Sequence, residues 1–401
     1  MRSPITSGCS LEALAMPATR VVVMGATGSI GRQALDVIAR FPGEFELVGA
    51  VGGRRTGALA SACAAFPGAN LVVADPKGQV PDGMRVGTEA VCDLLRHSRP
   101  DVVLVGGGGA GALIPTLVAC ETGATLAVAV KEVMVMAGEL VTTTAKRYGT
   151  TIIPVDSEHS AIWQCMRGED PATVAHLVLT ASGGPFRTAP LDAIARATPE
   201  QALAHPNWKM GRKISIDSAT MMNKGLEVIE AHFLFDIPYD QIEVVVHPQS
   251  AVHSAVEFCD GTLVAQLGVA DMRAPIALAL SGGRRLPGVV DSLHLGEVRR
   301  LDFEPLEPGR FPALGVARRA AVRGGGAPAA LNAANEVAVD GFLSGRIPFG
   351  AIAELVAEVA DSFPADPVSS LSQVLAADAK GRELATELLA ELAGSNGVAR
   401  A

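Results

Sequence analysis

Pro154-Val-Asp-Ser-Glu-His159 sets two carboxylates and a histidine side by side, behind the β-branched run Thr151-Ile152-Ile153 that reads as a buried strand. If the extended backbone continues, alternate side chains face opposite ways, so Asp156 and Glu158 share one side and Ser157 and His159 the other. Carboxylates that close repel one another, and each pKa rises unless a cation lies between them. An all-oxygen donor set suits a hard divalent ion such as Mg2+ or Mn2+. The plain alternative is that Asp156 or Ser157 caps a helix over residues 160–165, with Glu158 in its first turn. Taken alone the segment favours that cap, because caps are far commoner than metal sites.

Three further stretches carry chemistry of the same kind. Ser182-Gly-Gly-Pro-Phe-Arg187 follows the apolar run Leu177–Ala181; a serine beside two glycines can form a concavity for an anion, although a simple turn is the commoner outcome. His205-Pro-Asn-Trp-Lys-Met-Gly-Arg-Lys213 gathers a tryptophan, cations and a glycine in one polar loop. That composition suits a lid closing over a phosphorylated ligand better than a surface loop with Trp208 tucked against a core. In 217–235, Asp217 or Ser218 can cap a helix whose apolar face is Met222, Leu226, Ile229 and Phe233. Asn223, Lys224 and Glu227 fall in one patch on the other side. The first two can hold a phosphate at the positive helix end, and Glu227 can bring a third carboxylate to the metal. A surface Lys224–Glu227 pair is the competing reading. Gly225 argues mildly against it, because glycine weakens a helix unless something must come close.

The elements that position these groups start with Arg20-Val-Val-Val-Met24, a buried strand followed by Gly25-Ala-Thr-Gly28-Ser-Ile-Gly31 and a helical pattern. This is the order a pyrophosphate site needs: Gly25 for the turn, Gly28 for backbone approach, Gly31 for close packing of helix on strand. The next strand, Phe45–Val51, ends in Gly52-Gly-Arg-Arg55. Arginine at that edge suits a ribose 2'-phosphate, so NADP is favoured over NAD. Apolar runs at 71–74, 102–105, 124–130 and 152–153 alternate with helical patterns and predict a doubly wound parallel sheet. Lys131-Glu132 then falls at its ligand-binding edge. Boundaries are expected at 17–154 for an NADPH-binding Rossmann-like domain and 155–291 for a central α+β catalytic domain with its lid at 202–213. A proline-rich linker at 292–312 and an alanine-rich C-terminal helical bundle at 313–401 follow. Asn332, Asn335 and Glu336 in that bundle fit a buried cap network better than a brace for the site.

The chain has 401 residues, 49% of them hydrophobic and 19% charged, with a net charge of -9. An acidic balance opposes nucleic-acid binding, and the absence of a long apolar run opposes membrane insertion. Small anions remain open to a local basic pocket. Cys9, Cys63, Cys92, Cys120, Cys165 and Cys259 are scattered, which argues for reduced thiols in a cytoplasm and against zinc. Met1–Ala15 lacks signal-peptide order and is expected to be a disordered leader, with the fold beginning near Met16.

Taken together, GATGSIG, PVDSEHSAIWQ, SGGPFR, HPNWKMGRKISIDSATMMNKGLE, HPQSAVHS, LVAQLGVADMRAPIA and LNAANEVAV resemble the 1-deoxy-D-xylulose 5-phosphate reductoisomerase family, in family order from Gly25 to Val339. The resemblance implies an NADPH-dependent enzyme of the non-mevalonate isoprenoid pathway that forms 2-C-methyl-D-erythritol 4-phosphate, and a homodimer. It implies Asp156, Glu158 and Glu227 as ligands of Mg2+ or Mn2+. It places the substrate phosphate against Ser182, Ser218, Asn223 and Lys224, and puts Ser157, Glu158, His205 and Lys131 by the reacting carbons. NADPH would meet Thr27, Gly28, Ser29, Ile30, Gly53, Arg54, Arg55, Lys131, Glu132, Gly211 and Met272, with His253 and Ser250 supporting the pocket. Val130 stands where the family has asparagine and Ala270 where proline is usual, both on the cofactor side. Two other functions stay open: a lapsed paralogue that senses a nucleotide or phosphosugar, and an NADP-dependent dehydrogenase of another substrate, which the lid and three carboxylates disfavour.

Overall fold

The computed structural model describes residues 17–398 other than 82, 83, 207, 209 and 308. The expected leader, and Asn207 and Lys209 of the lid, lie outside the described residues. Strands β1 (Thr19–Met24), β2 (Phe45–Gly52), β3 (Asn70–Val73), β4 (Arg85–Val86), β5 (Val102–Val105), β6 (Thr125–Val128) and β7 (Ile152–Pro154) form one parallel sheet in the order β4-β3-β2-β1-β5-β6-β7. Their near-continuous valine, leucine and isoleucine runs are what burial on both faces demands. Only β4 escaped the sequence, because Arg85 and Val86 are both exposed and carry no apolar pattern. The winding reverses between β1 and β5, which opens a crevice beyond their carboxyl ends.

One face of this sheet is covered by the helix Ser29–Arg40 together with Arg273–Leu280, which returns from much later in the chain. Leu35 and Ile38 share an apolar cluster with Val21, Leu104, Ile276 and Leu280. Arg40 also donates to the carbonyls of Gly288 (2.6 Å) and Val289 (3.0 Å). On the other face the helix Lys131–Tyr148 shares a core with the C-terminal helices Pro312–Arg323, Ala327–Leu343, Ala351–Ser362 and Leu371–Val398.

The second sheet is mixed. Strands β8 (Val174–Ala181), β9 (Ile242–Val246), β10 (Val252–Phe258) and β11 (Leu263–Leu267) lie in the order β11-β10-β8-β9, with only the β8–β9 pair parallel. The helices Ser157–Cys165 and Met222–Phe235 pack against it through Ile162 and Val228, which meet Leu177, Leu179 and Val256. β11 is an edge strand with Leu263 58% exposed. The segment after residue 292 is tied to the loop following β8: Arg187 donates to both Glu304 carboxylate oxygens at 2.7 and 2.9 Å, and Arg310 donates to the carbonyls of Phe186 and Ala189.

Candidate active site

At the crevice, Gly25 adopts φ +81° and its N–H donates to Val51 O at 2.9 Å, so the turn after β1 is anchored on β2. A Cβ on Gly31 would overlap Gly25 O and Ala26, which is the close packing the glycine spacing predicts. The helix Ser29–Arg40 begins at Gly28 with no side-chain cap and no acid in its first turn, leaving its N–H groups open toward an anion. Arg54 and Arg55 follow β2 at the same edge, and Arg54 Nε lies 3.2 Å from Asp75 Oδ2 in an exposed pair.

Beyond β7 the backbone does not stay extended. It turns into the helix Ser157–Cys165, with Asp156 as N-cap accepting from Ser157 N at 2.9 Å. The face-sharing argument for Asp156 and Glu158 is therefore corrected: a helix start, not strand alternation, sets their directions. The cap and the cluster are both real, because a carboxylate has two oxygens. Asp156 Oδ1 caps the helix while Oδ2 meets Lys131 Nζ at 2.5 Å. Glu158 Oε2 accepts from Ser157 Oγ at 2.5 Å, and its Oε1 meets Lys224 Nζ at 2.9 Å.

The third carboxylate arrives through a break the sequence does not announce. Asp217 and Ser218 lie inside the helix Arg212–Thr220 rather than capping the next one, which corrects the expected cap. Met221 then takes φ 62° and ψ 12°, and the helix Met222–Phe235 starts afresh. A left-handed non-glycine residue costs roughly 1–2 kcal/mol, and this turn allows Ser218, Asn223, Lys224 and Glu227 to line one pocket. Glu227 accepts from Lys131 at 2.9 Å, from Asn223 Nδ2 at 2.5 Å, and from Lys224. The Lys224–Glu227 pair is thus buried, not a surface pair. Gly225 serves packing instead: a Cβ there would overlap Ala317 of the C-terminal helices.

Oxygens of Asp156, Glu158 and Glu227 all lie within 4.8 Å of one another. His159 and Glu230 form a second such group with Asp156, but only the first set lines the pocket. His159 Nε2 donates to Glu227 O at 2.9 Å and so holds the backbone of the third carboxylate. Four carboxylates here face two ammonium groups, Lys131 and Lys224, and the ring of His159, whose Nδ1 lies 3.3 Å from Glu230 Oε2. Against the burial that would raise it, Lys131 holds Asp156 at about 2. Burial, then Glu158, pushes the Glu227 carboxyl above its ordinary value, and burial pushes Glu230 up to about 7. A cluster short of positive charge that binds protons in compensation, with oxygen donors only at the pocket, fits a hard divalent cation.

His205, Trp208, Met210 and Gly211 line the other side. His205 Nδ1 accepts the Trp208 N–H at 2.9 Å, so the neutral ring carries its proton on Nε2 and donates to Ser182 Oγ at 3.0 Å. Burial holds the His205 pKa below its ordinary value, consistent with that neutral form. Gly183 and Gly184 have φ of +80° and +62°, and a Cβ on Gly184 would come 2.8 Å from Ser218 O. The glycines thus bring the Ser182 loop against Ser218.

Of the residues named from sequence, Ser29, Ile30, Lys131, Asp156, Ser157, Glu158, Ser182, His205, Gly211, Ser218, Asn223, Lys224, Glu227 and Met272 line one cavity, with Ser250 and His253 beside them. Thr27 and Gly28 sit in the adjoining turn, whereas Gly53, Arg54 and Arg55 lie farther along the edge at β2. Glu132 does not line the cavity: its carboxylate meets Lys213 Nζ at 2.9 Å. Thr180, Ile214 and Met221 line it unannounced; the αL turn at Met221 has no local signal, and the other two read as ordinary strand and helix residues.

Residues 21–138 match the family described as 1-deoxy-D-xylulose 5-phosphate reductoisomerase, 152–235 match its C-terminal domain, and 267–384 match the DXP reductoisomerase C-terminal domain. A 1-deoxy-D-xylulose 5-phosphate reductoisomerase of Symbiobacterium thermophilum is 48% identical over 382 residues, covering 92% of this chain and 98% of the relative. The chain belongs to the 1-deoxy-D-xylulose 5-phosphate reductoisomerase family. The reductoisomerase of Dechloromonas aromatica is 47% identical over 385 residues, covering 92% and 97%. Among solved structures, the Zymomonas mobilis reductoisomerase in complex with NADPH has a TM-score of 0.85 at 41% identity, covering 93% of this chain and 99% of that one. A reductoisomerase in complex with NADPH, fosmidomycin and magnesium also scores 0.85, at 38% identity over 92% and 98%. Val130 is packed into the core at 6% exposure, and Ala270 lies exposed two residues before Met272.

Proposed function

We propose that the chain converts 1-deoxy-D-xylulose 5-phosphate into 2-C-methyl-D-erythritol 4-phosphate with NADPH and Mg2+ or Mn2+. The observation that carries the proposal is the meeting of Asp156, Glu158 and Glu227 within 4.8 Å, in a cavity that also reaches the Ser29 helix start. When bound there, a divalent ion supplies Lewis acidity to the neighbouring hydroxyl and carbonyl oxygens of a hydroxyketone.

The chain's own groups do the rest. Ser182, Ser218, Asn223 and Lys224 hold the phosphate, whose remote binding orients the reacting carbons. Lys224 is the counter-charge of Glu158 and Glu227 in this structure; once that role is taken over, its ammonium is free for the phosphate. Lys131 Nζ, held by Asp156 and Glu227, stabilises negative charge developing on the substrate oxygens and can return a proton to them. His205 follows the lid down and presents its Nε2–H. Trp208, Met210 and Ile214 form an apolar cover that excludes water while carbon–carbon bonds are broken and remade. Met272 flanks the nicotinamide, and Thr27 to Ile30 with Gly53, Arg54, Arg55 and Gly211 complete the NADPH site; Glu132, held by Lys213, is left out of it. The retention of Lys131 and all three carboxylates disfavours a lapsed sensor.

The proposal extends to a homodimer through the β11 edge, where Leu263, Val264 and Leu267 are exposed, and to a cytoplasmic setting that suits the free thiols of the described cysteines. No helix among the described residues is long and apolar enough to cross a membrane. We keep the domain limits at 154, 291 and 312, with Arg273–Leu280 packing back on the first domain. Purified protein should oxidise NADPH only when 1-deoxy-D-xylulose 5-phosphate and Mg2+ or Mn2+ are both supplied; no oxidation with either metal would remove the proposal.

A further inference from the structure

One polar chain, buried at Asp217 and Asn335 and part-buried at Glu132 and Lys213, is not used by the reaction as described. Lys213 Nζ lies 2.9 Å from Glu132 Oε1 and 2.9 Å from Asp217 Oδ2, and Asp217 Oδ1 accepts from Asn335 Nδ2 at 2.8 Å. The four residues come from three helices: Lys131–Tyr148, Arg212–Thr220 and Ala327–Leu343. Asp217 is 1% exposed and Asn335 0%. None of the four lines the cavity, yet each of the first three adjoins a group that does. Glu132 follows Lys131, Lys213 precedes Ile214, and Asp217 precedes Ser218.

The helix that presents Lys131 cannot orient it by continuity. Ala137 has φ −145° and ψ 30°, so residues 131–136 form a separate turn, and Gly138 sits tightly against Phe233 just beyond the break. The direction of a short detached turn is set by side-chain contacts. Lys131 makes its contacts with Asp156, Glu227 and Asn223, groups assigned to metal and phosphate. The Glu132–Lys213 pair lies outside the cavity and is not competed for by ligands. Removing Lys213 would leave the carboxylates of Glu132 and Asp217 without their shared cation, which a largely enclosed site resists.

We propose that Glu132, Lys213, Asp217 and Asn335 form a positioning relay, which clamps the Lys131 turn and the base of the lid to the C-terminal helices. The inference rests on the proposed reaction for its kinetic consequence but not for its structural one. The C-terminal helices thus act on turnover without touching ligand.

The test uses the full chain carrying Lys213→Met, with steady-state kinetics and amide hydrogen exchange of the unliganded protein. The expected result is a kcat lowered about tenfold or more, with substrate KM altered less than about threefold. Exchange across 131–136 should speed about tenfold while 138–148 keeps its protection. Lys213→Arg, which keeps the cation, should restore both. A kcat within about twofold of wild type, or a kcat loss without faster exchange at 131–136, would overturn the relay. So would faster exchange spread evenly over both helices, the mark of general loosening. If Lys213→Met does not fold, Asn335→Ala leaves both ion pairs in place and should give the same local exchange pattern with a smaller kcat loss; unchanged exchange there overturns the relay as well. Wild-type protein without turnover would remove the proposed function alone, since the exchange pattern still decides the relay.

Discussion

Replacing Glu227 by Gln separates a metal ligand from an ion-pair partner, because the two roles predict opposite effects on the metal-free protein. Glu227 accepts from Lys131, Asn223 and Lys224. Hydrogen bonds to charged groups contribute roughly 1.5–3 kcal/mol each, so if these contacts dominated, the neutral variant would lose about 4 kcal/mol or more. The opposing effect is the burial of a third negative charge beside Glu158 and Asp156. Its pKa is raised by burial and then by Glu158, so the opposing effect wins. The sign follows: a carboxyl with a folded pKa above its unfolded value stabilises the fold only when protonated, below the unfolded pKa, and that stability is lost as pH rises through the folded pKa. Ionising Glu227 is therefore a net cost to the metal-free fold. Glu227→Gln should leave the metal-free Tm unchanged or raised, whereas an ion-pair partner would lower it by about 5 °C or more at roughly 1.2 °C per kcal/mol for a chain of this length. Metal affinity should fall about a hundredfold or more, ~2.7 kcal/mol, with the loss of one carboxylate in three. Thermal melts in chelator and calorimetric titration with Mn2+ read the two effects. A large fall in metal-free Tm with unchanged metal affinity would refute the reasoning and make Glu227 a structural partner.

Arg54→Ala should raise KM for NADPH about tenfold while leaving KM for NADH within about twofold; equal losses for both cofactors would remove the 2'-phosphate role. Protonating His205 on Nδ1 breaks its bond from Trp208 N–H. Because burial lowers the folded pKa beneath the ordinary 6.5, that bond persists above 6.5 and is lost as pH falls through the folded value. In a Trp163→Phe background, Trp208 fluorescence should change below pH 6.5, and His205→Gln should remove the part of that change not owed to His253, whose ring centroid lies 6.5 Å from that of Trp208 and whose pKa burial also lowers. Gly225→Ala should cost about 1–3 kcal/mol by driving a methyl into Ala317; a melt unchanged within a degree would mean that the Met222–Phe235 and Pro312–Arg323 helices are free to part.

The chain's own order settles what depends on neighbours in sequence. Apolar runs mark every strand of the parallel sheet except Arg85–Val86, and the spacing of Gly25, Gly28 and Gly31 marks the turn, because burial and tight turns leave residue-by-residue requirements. Residue type likewise marks Asp156, Glu158 and Glu227 as candidates. Their convergence, however, requires Met221 in a left-handed conformation that any methionine-bearing segment could decline, and a helix start at Ser157 where alternation suggested a strand. Whether Glu132 faces cofactor or Lys213, and whether Arg273–Leu280 rejoins the first sheet, depends on contacts between residues far apart in the chain. Charge balance in a buried cluster belongs to the assembled groups and to no single one, so only the folded chain could show it short of positive charge.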